Sequence, residues 1–268
     1  MNYFDESGRR VPTSSMRVFN NAPNFYYQLK DPQVNYSSVL ERLDQAGLSG
    51  SITLSQFKEI ANAILNTIKQ DSNYSNLLNG VHIPFAISIQ ESEIDLGRNL
   101  EDLLLPKLKE SFTSSFPDCH FRAVLQSDSA LVDHISLCND SRYHVLVDAA
   151  KTATVVGWYF PQAIQEFDVD SQRRQMNELP MIDGADLCLS GGIDICTAVT
   201  GTPSLLINEE AYPPILCMSA YQHEDPRMVL LLKSYGPHLE FWCMSQMLSK
   251  GITQVSEQWA GGLTVFSK

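Results

Sequence analysis

The 268-residue chain is poor in basic side chains and has no long apolar run. Nineteen Lys and Arg face 31 Asp and Glu, which leaves a formal net charge of −12 and a pI near 4.8. Affinity for nucleic acid comes from neutralising phosphates with a basic surface, so this deficit excludes nucleic acid as the main partner. It also disfavours docking on an anionic bilayer. No stretch approaches the roughly 20 uninterrupted apolar residues of a membrane helix, and no membrane insertion is expected. The opening residues, Met1 to Glu6, lack the basic patch and apolar run of a secretory leader.

Cysteine is sparse as well. Cys119, Cys138, Cys188, Cys196, Cys217 and Cys243 lie far apart, several inside apolar segments. A disulfide framework is shorter and denser in cysteine, so these are expected to be reduced thiols of a cytoplasmic protein, mostly in the core. Phosphate-binding loops of the GxxxxGK[ST] and GxGxxG kinds are missing, as are HExxH, CxxC and GxSxG. Nucleotide-driven chemistry and the standard metallohydrolase sites lose their sequence support, and neither cofactor nor metal is expected. His134 and Cys138 would share a face of a helix expected over 129–138, but without an anchoring CxxC they make no zinc site.

What is present is globular. Hydrophobic residues make up 44% and charged residues 19%, enough apolar material for a core and too little charge for disorder. Residues 1–34 carry Asn, Ser and Pro without periodicity, and read as an extended N-terminal arm. Its aromatics, among them Tyr3, Phe4, Phe19, Phe25, Tyr26 and Tyr27, imply that it packs against something. Residues 35–268 read as one α+β domain, with a candidate internal boundary near 179.

Val39, Leu40 and Leu43 give a short helix closed by Gly47. Leu54, Phe57, Ile60, Ala61, Ile64, Leu65 and Ile68 give the clearest amphipathic helix, opened by a Thr53/Gln56 capping box. A strand over 81–89 belongs at an edge, because Pro84 has no amide to offer a ladder. Leu96, Leu100, Leu103, Leu104 and Leu108 mark a helix that Pro106 should kink. A strand is expected over 120–126, a hairpin over 143–160, and a polar helix from Pro161 to about Glu178. After Leu179 glycine clusters appear, with a short helix over 193–200. Strands over 215–221, 228–235 and 238–243, and a last one over 263–266, follow short turns and suggest an antiparallel meander. The expected fold class is therefore α+β, a helical N-terminal portion packed on a mixed, largely antiparallel sheet with a C-terminal β-meander.

Two functional readings follow. The first is a cytoplasmic, acidic protein–protein interaction module, an adaptor or assembly subunit with no catalysis, whose partner is a basic protein. Its anchors would be Trp158, Tyr159 and Phe160: adjacent strand residues alternate faces, so at least one of the three should leave the core. The alternative is a cysteine-dependent hydrolase or acyltransferase with a papain-like arrangement. Gly191 and Gly192 lead into a short helix carrying Cys196, His238 begins a strand 42 residues later, and Gln254 or Glu257 would orient the imidazole.

Overall fold

A computed structural model describes residues 2–13, 26–90, 93–125, 130–207, 212–236, 238–245, 248–249, 252–253 and 257–267. Helix α1 (Tyr36–Gln45) starts where the Asn35 side chain accepts the Ser37 and Ser38 amides. It ends before Gly47, whose φ of +71° suits a residue without a Cβ. Helix α2 (Leu54–Gln70) has the expected Thr53/Gln56 capping box and buries Phe57, Ala61, Ile64 and Ile68. Strand β1 (Ile83–Ile87) follows.

Helix α3 (Leu96–Arg98) passes through a π-helical stretch, Asn99–Leu104, into α4 (Leu105–Ser115). Pro106 lies in the first turn of α4, directly after the π-helical stretch, where its missing amide donor is tolerated. Next come β2 (His120–Val124), β3 (Ile135–Leu137), α5 (Tyr143–Thr152), β4 (Val155–Gln165), α6 (Val169–Glu178), β5 (Ala185–Leu189) and α7 (Gly192–Gly201). The chain closes with β6 (Ile215–Cys217), β7 (Tyr221–His223), β8 (Met228–Tyr235), β9 (His238–Ser245), β10 (Leu248–Ser249), β11 (Ile252–Thr253) and β12 (Trp259–Ser267).

Three local expectations are corrected. Over its described residues, 130–138, the helix expected over 129–138 is a loop and a strand: β3 pairs with β7, Ile135 opposite His223. The first arm of the hairpin over 143–160 is helix α5, because Tyr143, Leu146, Val147 and Ala150 fall at helical spacing and all four are buried. The helix expected at Pro161 starts only after Asp168, which caps α6 through the Ser171 amide. Pro161 stays in β4 at a slip in the ladder, where Phe160 faces Leu263 and Ile164 faces Gly261; a bulge tolerates a residue without an amide.

The main sheet runs β1-β4-β12-β6-β8-β9-β2, with β5 pairing β12 beside β6. Only β12/β6 and β9/β2 are parallel. The chain is α+β, and β6, β8 and β9 form the antiparallel series expected near the C-terminus. β1 is an edge strand, as Pro84 requires. The last strand, β12, enters at the middle of the sheet, where β4 and β5 both pair with it. One large core joins helices and sheet and includes Phe4 and Leu29 from the N-terminal stretch. All ten residues of α7 are buried, packed against β1, α1 and α4.

Candidate functional site

The end of β4 is polar where the N-terminal stretch crosses it. The Arg10 amide donates to the Ala163 carbonyl at 2.8 Å. Gln162 Oε1 accepts the Leu29 amide at 2.9 Å. Gln162 Nε2 and Gln165 Nε2 both donate to the Tyr27 carbonyl at 3.2 Å, and Arg9 Nη2 reaches the same oxygen at 3.4 Å. Arg9 Nη1 pairs with Glu166 Oε1 at 3.4 Å, both side chains buried. Burial pulls the Arg9 guanidinium below its ordinary pKa, and the Glu166 carboxylate pulls it back. Glu166 has φ +71°, a left-handed conformation that costs a non-glycine residue about 1–3 kcal/mol. Its amide is held by the Trp259 carbonyl at 2.8 Å.

This network sets the position of three tyrosines. Tyr27 bridges Tyr212 through the backbone, and the Gln28 amide donates to the Tyr212 carbonyl at 3.1 Å. The Tyr26 and Tyr212 rings stack with centroids 5.3 Å apart. The Tyr27 ring stands edge-on to Tyr26 at 5.0 Å and tilted to Tyr212 at 6.3 Å. Tyr26 is 55% exposed and Tyr212 62%. Loss of solvent, then the Glu257 charge, push the Tyr27 phenol above its usual value.

Beyond Glu257, the Gln258 carbonyl accepts the Ile215 amide at 2.7 Å. Trp259 lies beside Ile215 in the sheet. With Trp242 and Met244, these two pack around a small second apolar cluster of Val169, Val229 and Leu231. Braced aromatic rings beside a carboxylate can stack on planar cations and apolar side chains. Tyr26 and Tyr27 belong to the aromatic pattern of the N-terminal stretch. Tyr212 and Glu166 have no sequence signal, because they join the cluster only through strand pairing.

The residues expected from sequence lie elsewhere. Trp158, Tyr159 and Phe160 form no exposed patch, and all three are buried. The alternation is real, but both faces of β4 are covered. On one side the Trp158 indole donates to the Ala61 carbonyl of α2 at 2.8 Å. On the other, Tyr159 packs over Gly262, where a Cβ would stand 2.2 Å from its ring.

Cys196 sits mid-way along α7, fully buried. Burial and then the Asp194 charge raise its thiol pKa, the reverse of an activated nucleophile. His238 heads β9 on a partly exposed sheet surface, its ring stacked on His120 at 5.4 Å. Among the described residues no imidazole hydrogen-bonds Cys196. Gln254 lies outside the described residues. The other candidate orienter, Glu257, gives its backbone carbonyl to Gln165 Nε2 at 3.1 Å.

The glycine pair before α7 has a packing role. A Cβ on Gly192 would stand 2.3 Å from a Leu100 methyl and 2.7 Å from the Tyr221 ring. That tight turn brings Asp194 into the core. Its carboxylate accepts the Gly191 amide at 2.9 Å, the Tyr143 hydroxyl at 2.7 Å and the Thr264 hydroxyl. Burial nevertheless holds the Asp194 pKa above the usual carboxylate value, against the pull of the Thr264, Tyr143 and Gly191 donors. Sequence patterning missed this acid because Ile193, Ile195 and Cys196 around it read as plain apolar helix.

Comparison with protein-family models, with curated proteins and with solved structures gives no match.

Proposed function

We propose that the chain is a protein–protein interaction module of the cytoplasm, an adaptor or complex subunit. It would take a basic segment of a partner protein on the Tyr26–Tyr27–Tyr212 cluster. The observation that carries this reading is the tyrosine cluster itself: two stacked rings, more than half exposed, are braced from beneath by a buried ion pair and a shared carbonyl. Ordering exposed side chains costs entropy on binding, and rings already fixed avoid part of that cost. Tyrosine is enriched among the residues that carry binding energy.

The choice of a basic partner rests on charge. The chain carries −12, and Glu257 acts on both Tyr26 and Tyr27. An arginine laid on a tyrosine face beside a carboxylate gains from both. All six cysteines are unpaired, five of them buried, which fits a reducing compartment. Among the described residues no helix is long and apolar enough to cross a membrane.

The experiment is affinity capture followed by mass spectrometry, with three baits: the wild type, Tyr26→Ala/Tyr212→Ala, and Tyr235→Ala as a control at an exposed tyrosine of β8. The expected result is a basic protein captured by the wild type and the control, lost from the folded double variant, and released by salt. A folded double variant that retains the wild-type partners, or a wild type that captures nothing above background, overturns the reading.

A further inference from the structure

The two edges of the main sheet are finished differently. At one end every residue of β1 is buried, and the strand packs against α7 and α1. At the other end β2 pairs only with β9, in parallel and without a slip in register. His120, Arg122 and Ala123 of β2 are exposed. Backbone N–H and C=O groups of a strand point to both sides, and a strand at an edge leaves one side unpaired. Beyond the β9 ladder, the backbone of His120 to Val124 makes no hydrogen bond among the described residues. The strand has no proline or bulge to blunt that rim, so it is a template for a further strand.

The side chains along the rim say what kind of strand fits. His120 lies opposite His238, and Arg122 opposite Glu240, which in turn lies opposite Lys233 of β8. Glu240 is the only carboxylate in β2, β8 and β9, and it is already taken. It is 8% exposed, accepts Trp242 Nε1 at 2.8 Å and pairs with Lys233 Nζ at 3.7 Å. Arg122 has no hydrogen bond or ion pair among the described residues. The His120 and His238 rings stack at 5.4 Å, and even a neutral imidazole offers one N–H to a carboxylate. The rim is therefore locally basic in a chain of net charge −12. Charges elsewhere on the surface are screened beyond about 8 Å at physiological salt.

We propose that the β2 rim takes an extended acidic segment of a partner protein as an added strand. Main-chain hydrogen bonds hold the segment, and alternate side chains select it. Acids at every second position land on the face of His120 and Arg122, because residues two apart in a strand share a face. The residues between them land beside Phe121, which is half-buried against the core, so apolar side chains fit there. A second copy of this chain is a poor occupant: antiparallel pairing of two β2 strands centred on Arg122 sets two arginines side by side, and like charges directly opposite are destabilising. The rim is a separate surface from the tyrosine cluster, since β12, β6, β8 and β9 lie between β2 and β4. This inference stands or falls independently of that cluster.

Isothermal titration of the full chain with the peptide Thr-Glu-Val-Glu-Val-Glu-Thr tests the proposal, beside a version with Lys for Glu and two versions N-methylated at one or the other alternate set of residues. The proteins are the wild type, Arg122→Glu and Lys58→Glu, the last making the same charge change on the exposed side of α2. The expected result is saturable 1:1 binding of the Glu peptide and none of the Lys peptide. A charge-assisted hydrogen bond predicts a loss of about tenfold or more in Arg122→Glu, with Lys58→Glu unchanged. Methylation of the alternate set that faces the rim should abolish binding, and methylation of the other set should leave it intact. Deuterium exchange should slow at amides within 120–124 when the Glu peptide is bound. Four outcomes overturn the proposal: no saturable binding at millimolar Glu peptide, unchanged affinity in a folded Arg122→Glu protein, equal affinity of the two methylated peptides, or a free chain that already dimerises with its 120–124 amides protected.

Discussion

The Tyr143 hydroxyl donates to Asp194 Oδ1 at 2.7 Å and accepts the amide of Ile193 at 3.0 Å, so one phenol from α5 closes the N-terminus of the buried helix α7. The opposite carboxylate oxygen accepts Thr264 of β12, whose hydroxyl also bonds Ser190 at 2.9 Å. Asp194 thus ties α5, α7 and the central strand together through three fully buried side chains.

Removing that acceptor should be costly. Asp194→Ala leaves the Gly191 amide and the Tyr143 and Thr264 hydroxyls without their acceptor, and we expect a loss of roughly 3–4 kcal/mol in urea denaturation. Asp194→Asn keeps an acceptor and should be far milder. The two residues also differ in pH dependence. The folded pKa of Asp194 lies above its unfolded value, so the folded state holds the proton more tightly. The resulting stability is fully present below the unfolded value of about 3.9 and is lost as pH rises through the raised folded value. Relative to the wild type, Asp194→Asn should therefore gain stability as pH climbs from about 4 to 8. A difference that stays constant across that range contradicts this assignment.

Breaking the buried Arg9–Glu166 pair should release the N-terminal stretch. Arg9→Met removes the cation that stands 3.4 Å from the buried Glu166 carboxylate, and breaking a buried pair of this kind costs about 3–5 kcal/mol. The amide of Leu29, bonded to Gln162, should exchange faster with deuterium in this variant. Arg9→Met/Glu166→Gln should recover part of the stability. If the double variant is no better than the single one, the penalty lies in lost packing.

Trp158 belongs to the core, so its substitution should act on stability. Trp158→Ala is expected to cost about 3–5 kcal/mol. Trp158→Phe should cost less, losing the bond to the Ala61 carbonyl and part of the ring. Denaturant midpoints measure both. Partner capture per mole of folded Trp158→Phe protein should match the wild type.

Thiol reactivity should follow burial. Cys119 is half-buried and the other five cysteines are buried. The thiols of Cys217, pushed up to about 12, and Cys243, pushed up to about 11, are protonated at neutral pH. Iodoacetamide should label Cys119 first, with Cys196 reacting only when the chain unfolds. Rapid labelling of native Cys196, read by peptide mass spectrometry, would revive the hydrolase alternative.

Where a residue's role depends on its near neighbours in sequence, the chain announced it. The α2 capping box, the close of α1 at Gly47 and the edge position demanded by Pro84 are such cases, each set by backbone donors and side-chain spacing within a few residues. Local reading failed where two periodicities overlapped. Tyr143, Leu146, Val147 and Ala150 are β-compatible side chains at helical spacing, and burial against the rest of the protein settled them as α5. The sheet order lay beyond local reading too. Nothing in Trp259 to Ser267 says that the last strand enters the middle of the sheet, because ladder partners are chosen by contacts between distant segments.

The functional candidates divide in the same way. The sequence by itself determined an acidic α+β chain, six well-separated thiols and an aromatic N-terminal stretch, since charge, composition and periodicity survive any folding. Only the tertiary structure decided which aromatic residues face water. Trp158, Tyr159 and Phe160 are buried because α2 and α7 cover both sides of β4, while Tyr26 and Tyr212 are presented because a distant ion pair and two glutamines hold the Tyr27 carbonyl. Exposure belongs to the packed assembly and not to the residue, so no spacing rule along the chain can supply it.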